Sequence, residues 1–428
     1  MKRIFSLLIL AVALLVGSGN TAAQTVADQK LGELLNEGDL FQLREQYPQL
    51  RDSVSLEMLR LMAEAQTGIG FNRLDRAASA LDSLLQSHQE ALGVQNSVGL
   101  AALRAMNLLN LGLYAEAGEA GGDLVEALKG QLPFESLYSF LFIQRVGEAL
   151  ADTPKPYLER PAHDVEVAMK CDKVGRGHHL YLPVEVNGVT RDFIFDTGCS
   201  FGNFVSEEYA REAGLTIVAD SVPVSGMTVG FVKLATAKEL KIGELTYHNP
   251  VFMVAPRDEE VDSVFAFDGV LGYHFIRDAR EVVIDNERGV CRFPVKISEG
   301  EPNMYLSSNT PQVRIDYGGR ALDLVFDTGN VKTDLGKGFA ECFPEAVAGL
   351  KVQDARRGGF GGMQSVKAVV LPEFRFSVGG RTVALRDTEV IMDASGNSQL
   401  FSGSLGADFV LAFKRLTINY ENMFVRGE

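Results

Sequence analysis

The sequence predicts a multidomain chain: an α-helical, helical-hairpin repeat-like N-terminal domain followed by a mainly β, bilobal region. Three observations carry this expectation. The apolar period changes from helical to alternating across a proline-rich stretch, Pro154, Pro156 and Pro161. The chain beyond that stretch is internally duplicated. Each copy then places one Asp-Thr-Gly directly after an apolar strand end.

The length of 428 residues exceeds what one core usually organises. With 41 basic and 56 acidic residues the formal net charge is −15, which excludes nucleic acid as an expected partner. Lys2 and Arg3 precede an uncharged apolar run from Phe5 to Val16, and small residues end at Ala23. Residues 1–23 therefore read as a signal peptide. Export to a bacterial periplasm or the extracellular medium is expected, with no stable membrane insertion after cleavage. The four cysteines, Cys171, Cys199, Cys291 and Cys342, allow three full pairings. A Cys171–Cys291 bridge is one option, and free thiols are the simpler one. The six histidines show no metal-ligand spacing, so no metal and no organic cofactor is expected. His178 and His179, at a strand start, read as a solvated pair.

Residues 24–158 form the helical domain. Apolar residues recur at three- and four-residue steps: Leu56, Leu59, Met62 and Ala63, then Leu74, Ala77, Ala78, Leu81 and Leu85. Phe71, Ala77, Leu81 and Leu85 recur 43 residues later as Tyr114, Ala120, Leu124 and Leu128. These positions weakly resemble tetratricopeptide helix pairs, which implies a surface for a protein partner. An ordinary helical bundle fits them equally.

The first β-rich lobe is expected over 159–297 and the second over 298–428, with 295–310 as the linker between copies. In the first, 179–186 alternates and turns at Asn187 and Gly188, and 191–195 returns. Further strands are expected at 229–235, 238–242, 249–254 and 281–285, and a short helix at 207–214. In the second, 311–319 and 322–326 repeat the opening hairpin. Phe267, Gly269, Leu271, Gly272 and Phe275 recur 134 residues later as Phe401, Gly403, Leu405, Gly406 and Phe409. Val282, Ile284 and Glu287 recur at the same spacing as Leu416, Ile418 and Glu421.

The chemistry sits in Asp196, Thr197 and Gly198 of one copy and Asp327, Thr328 and Gly329 of the other. One such tripeptide alone is a tight turn. Two at equivalent places imply a pseudo-twofold axis that brings the carboxyls together, each delivered by a strand expected to be buried on both faces. Carboxyl groups about 3 Å apart share one proton and titrate as a unit. The ionised member can deprotonate a water and the protonated member can donate to a carbonyl oxygen. The two glycines let backbone N–H groups approach, and the threonine hydroxyls can bond across the axis.

Both copies resemble the retropepsin-like unit of the aspartic proteases. The likeness lies in the apolar strand ending in Asp-Thr-Gly and the later apolar-apolar-Gly of Leu271 and Gly272, and of Leu405 and Gly406. It implies that this second element threads beneath the first loop, and that two units in one chain make a bilobal, pepsin-like endopeptidase for which dimerisation is not required. An extended peptide or unfolded protein would be the substrate, pairing with strand edges in the cleft. Flap candidates are Gly226, Met227 and Thr228, with Gly359, Phe360 and Gly361 as their counterpart. The chain departs from the family at Cys199 and Asn330, where a hydroxyl or alanine is usual, and Lys332 near Asp327 is also unusual. Two other readings compete: a catalytically inactive peptide-binding or scaffold protein, and a serine hydrolase. The latter rests on Gly198, Ser200 and Gly202 as a nucleophile elbow with His248 or His274 as base. The acidic stretch 258–262 reads as a solvated loop near the cleft mouth, where basic peptides would be favoured.

Overall fold

The computed structural model describes residues 25–226, 229–257, 267–393 and 402–428. The leader, Met227, Thr228, the acidic stretch 258–262 and Phe401 lie outside the described residues. The chain divides into two compact units between Asp152 and Thr153.

The first unit is helical: Val26–Glu37, Leu40–Leu50, Glu57–Gly70, Leu74–Ser87, Gln89–Leu111, Tyr114–Leu128 and Tyr138–Ala149. Its apolar stripes bury Leu31, Leu34, Leu59, Met62, Leu81 and Leu84 in one core. The first helix starts with a capping box. The Thr25 hydroxyl accepts from Asp28 N (3.0 Å), and Asp28 Oδ2 accepts from Thr25 N (2.8 Å). The same buried carboxylate accepts from Ser55 N and Leu56 N, both 2.9 Å, and from the Ser55 hydroxyl (2.7 Å). It thus ties the first helix to the start of the third. The helices Tyr114–Leu128 and Tyr138–Ala149 touch backbone to backbone. A Cβ on Gly118 would lie 2.8 Å from Glu148 N, and one on Gly121 2.6 Å from Gln144 N. No described helix is long and apolar enough to cross a membrane.

The second unit is mainly β. The strands Gly177–Val186 and Val189–Phe195 form the hairpin around Asn187 and Gly188, and Thr310–Tyr317 with Arg320–Phe326 repeats it. The first-lobe sheet runs onward from Val189–Phe195 through Gly269–Leu271, Asn203–Ser206, Val251–Ala255 and Val229–Thr236 to Thr216–Ser225. The second-lobe sheet runs from Arg320–Phe326 through Gly403–Leu405, Asp334–Leu335, Arg381–Ile391 and Gly362–Val378 to Gln353–Gly359. Phenylalanines fill both interiors: Phe193, Phe195, Phe252 and Phe275 in the first, Phe326 and Phe339 in the second.

A five-stranded sheet takes strands from both lobes, in the order Val165–Ala168, Val290–Phe293, Glu281–Asp285, Arg415–Asn419 and Phe424–Gly427. Its central pairing sets Val282 opposite Ile418, Val283 opposite Thr417 and Ile284 opposite Leu416. The duplication spacing makes Val283 and Thr417 equivalent, so the repeated segment pairs with its own copy across the pseudo-twofold axis.

Two sequence expectations need correction. The linker 295–310 contains a strand, Met304–Ser307, which pairs with Thr310–Tyr317 and extends the second-lobe sheet. The strand into Asp196 ends in three consecutive buried residues, whereas the strand into Asp327 alternates buried and half-buried. The second therefore delivers its aspartate with one face partly open. The cysteines are free, the simpler of the two readings, with Cys171 and Cys342 exposed and Cys291 buried.

Asp28 gives the helical unit an acid-sensitive joint. Burial raises its pKa, but the hydrogen bonds from Leu56 N, Ser55 and Thr25 outweigh that and hold it far below the usual carboxylate range. The stability it supplies is therefore complete above the ordinary carboxylate pKa of about 4 and is lost as pH falls below it. Asp28→Ala should cost about 2 to 3 kcal/mol, read as faster amide exchange across Val26–Glu37 and Glu57–Gly70. Unchanged exchange would refute the joint.

Candidate active site

The Asp-Thr-Gly loops meet where the lobes join. Each strand hands its aspartate to a sharp turn, and the later strand of the same copy runs beneath it. Asp196 N donates to Leu271 O and Asp327 N donates to Leu405 O, both at 3.0 Å. One step on, Tyr273 N donates to Cys199 O (3.0 Å) and Ala407 N to Asn330 O (2.8 Å). A Cβ on Gly272 would strike the carbonyls of Gly202 and Cys199, and one on Gly406 would lie 2.6 Å from Asn330 O. Leu271, Gly272, Leu405 and Gly406 thus hold the two turns from below in the same way.

The loops are tied to each other by their threonines, both fully buried. Thr197 N donates to Thr328 Oγ1 (3.0 Å), and Thr328 N donates to Thr197 Oγ1 (3.1 Å). Each hydroxyl then donates across the axis, Thr197 to Phe326 O (2.8 Å) and Thr328 to Phe195 O (2.6 Å).

Above this crossing each carboxyl lies against the loop that carries the other. A Cβ on Gly198 would fall on the Asp327 carboxyl, and one on Gly329 on that of Asp196. Only glycine lets each loop pass so close to the opposite acid. Asp196 Oδ1 accepts from Gly198 N (2.8 Å) and Cys199 N (3.0 Å), and Asp327 Oδ1 accepts from Asn330 N (3.1 Å). Burial raises both pKa values. For Asp196 the neighbouring Asp327 charge adds to the rise, while the bond from Asp196 opposes it for Asp327. The two carboxyls therefore titrate as one coupled pair.

The residues after the two glycines do not bond the carboxyls through their side chains in the hydrogen bonds described. Cys199 Sγ donates to Gly202 O (2.9 Å), and Asn330 Nδ2 donates to Asp334 Oδ2 (3.3 Å). Lys332 lies near Asp408, whose pKa is raised by burial, and its charge opposes that rise.

Two hairpins approach each other. A Cβ on Gly226 would strike the Phe360 carbonyl, and one on Gly230 would lie 3.0 Å from its ring. That ring also stands 5.7 Å from Phe204. Phe360, at the tip joining Gln353–Gly359 to Gly362–Val378, thus reaches from the second lobe onto the first.

His179 corrects a sequence expectation. It is 6% exposed, not solvated, and its Nε2 lies 2.9 Å from Gly329 O. A carbonyl only accepts, so Nε2 carries the proton. Burial lowers its pKa, and the contact with Gly329 opposes that. The nucleophile elbow is corrected too. The turn through Ser200 feeds the strand Asn203–Ser206 rather than a helix, so Ser200 is not raised on a strand-to-helix corner. His248 pairs with Glu159 at 2.8 Å and stacks on Tyr157. Burial pushes His274 down to about 4. Sequence reasoning missed Asp334, Arg357, Arg176 and Glu389, which gather beside Asn330. Only strand register brings them together, and no local motif announces it. No metal-binding group of His, Cys, Asp or Glu occurs among the described residues.

Residues 182–275, which include Asp196 and the first crossing, match the family model described as Aspartyl protease. No curated protein matches the chain. Among solved structures, the chain is similar to a retropepsin-like aspartic protease from Rickettsia conorii. That pair shares 17% identity over 33% of this chain and 94% of the other, with a TM-score of 0.22. It is also similar to the retroviral protease-like domain of Ddi1 from Leishmania major, at 17% identity over 31% and 96%, with a TM-score of 0.19. A third is conglutin gamma, a basic 7S globulin from lupine seeds, at 11% identity over 63% and 94%, with a TM-score of 0.36. The family match supports an aspartic protease reading of the first lobe, the segment that carries Asp196.

Proposed function

We propose that the protein is an exported aspartic endopeptidase that hydrolyses peptide bonds with a water activated between Asp196 and Asp327. The observation that carries the reading is the close approach of two half-buried carboxyls, each lying against the glycine of the other loop, on crossed loops tied by their threonine hydroxyls. In this reading Asp327, ionised, takes a proton from the water as its oxygen attacks the scissile carbonyl carbon. Asp196 gives its proton to the carbonyl oxygen, and a tetrahedral diol forms with no covalent enzyme intermediate. Asp327 then protonates the departing nitrogen while a diol hydroxyl returns its proton to Asp196, and the C–N bond breaks. No metal or organic cofactor takes part. The substrate is an extended peptide or unfolded protein, with backbone groups pairing to strand edges. The helical unit is proposed to recruit a protein partner or substrate.

A second reading is peptide binding without cleavage. It draws on Cys199 and Asn330, whose side chains bond elsewhere rather than to the carboxyls. Replacing either acid separates the two. Asp196→Asn and Asp327→Asn should each lower cleavage of a peptide library by on the order of 10³-fold while the chain stays folded. Cleavage retained by either variant would refute the catalytic pair.

The side chains at 199 and 330 also set a pH range. A hydroxyl donor to the outer oxygen of a carboxylate favours the ionised form and lowers its pKa. Cys199→Ser and Asn330→Ser should therefore move the acid limb of the kcat/KM profile to lower pH, by about half a unit to one unit each. A limb that stays in place would show that these positions do not govern the pair.

A further inference from the structure

Beside the pair lies another buried carboxyl, Asp334, 9% exposed. Its Oδ2 accepts from Asn330 Nδ2 and from the Arg357 guanidinium. Its Oδ1 has no partner among the described residues. Asn330 is also the residue whose backbone N–H donates to Asp327 Oδ1. One residue therefore bridges Asp334 to Asp327.

Comparison with the first lobe shows that this acid does not fasten the crossing. Seven residues after Asp196, as Asp334 is after Asp327, stands Asn203. Its Oδ1 accepts from Gly272 N (3.2 Å) and its Nδ2 donates to Val251 O (3.3 Å), which fastens the crossing. In the second lobe Thr333 does that work. Its Oγ1 accepts from Gly406 N (3.0 Å) and donates to Asp408 Oδ1 (2.6 Å). Asp334 is thus spared that task, yet it carries a group that is costly to bury when charged.

Its counter-charge comes from a hairpin. Arg357 lies on Gln353–Gly359, three residues before Phe360, whose tip rests on the first lobe. The surroundings of Asp334 and Asp327 hold further charged and titratable groups. Arg176, from the first-lobe turn before Gly177, is paired with Glu389, which stands opposite Asp334 in the strand register. Lys332 lies in the loop, His179 bonds Gly329, and Asp196 and Cys199 face Asp327 from the other loop.

We propose that Asp334 is a positioning residue whose negative charge tunes Asp327, and that Arg357 on the hairpin sets how strongly it does so. With the hairpin seated, the guanidinium offsets the Asp334 charge. With the hairpin lifted to admit a chain, that charge is bare and the acidic pair holds its shared proton more tightly. Burial pushes the Asp334 pKa up to about 6, and the Arg357 charge opposes that rise. The inference rests on the catalytic reading of Asp196 and Asp327.

Two variants that break the same ion pair should have opposite effects. Asp334→Asn removes a negative neighbour and should lower the pKa of Asp327 by about half a unit to one unit. Arg357→Gln removes a positive one and should raise it by about as much. Merely structural damage would displace both in one direction. The double variant should return close to the parent, and Asp334→Glu should restore the parent value. The readout is carboxyl 13C NMR titration of the full chain, with the Asp327 signal assigned by its loss in Asp327→Asn. This needs no cleavage, so failure of the tuning and failure of the protease reading are separable. Where cleavage is measured, the kcat/KM profile should shift the same way. Displacement of both variants in one direction, or of neither, overturns the proposal.

Discussion

Two carboxyl groups placed within hydrogen-bonding reach repel each other as soon as both ionise, and the second unit is organised around that constraint. At an effective dielectric near 20, two unit charges about 4 Å apart repel by about 4 kcal/mol. A buried hydrogen bond contributes about 1 kcal/mol net. The four threonine bonds across the axis therefore supply stabilisation on the scale of the repulsion. Retaining one proton between the acids removes most of the rest. The strands beneath, each accepting the N–H of its own aspartate, keep the turns from moving apart.

Symmetry governs the frame, while the details break it. Cys199 turns its thiol to Gly202, whereas Asn330 turns its amide to Asp334. His179 braces the Asp327 loop from the opposite lobe through Gly329. The two acids thus stand in unequal surroundings.

Much of this was legible in the residue string. The repeated Asp-Thr-Gly and the spacing of 134 residues pointed to Asp196 and Asp327, and the structure brings the two side chains together. The alternation at 179–186 marked its strand because one face packs and one does not. The burial of His179 was not legible, because what covers it comes from a loop 150 residues away. The same holds for Asp334 and Arg357, whose meeting depends on the pairing of Gln353–Gly359 with its neighbour. Local pattern also could not show that the two lobes share a sheet. That pairing joins strands more than a hundred residues apart, and their near-complete burial is visible only once the partner is in place. The helical crossing at Gly118 and Gly147 was hidden for a related reason, since a glycine in a helix reads as a weakness until a neighbouring backbone is seen to need the space.

The self-pairing of Glu281–Asp285 with Arg415–Asn419 has a further consequence. A lone half would carry an edge strand whose best-fitting neighbour is the same strand of a second molecule. Joining the halves by a peptide linker replaces a meeting that depends on concentration with one at fixed, high effective molarity. Such covalent fusion also frees each half from serving in both positions. Substitutions can then accumulate on one side of the axis without being copied to the other, and the unequal chemistry flanking this centre requires that freedom.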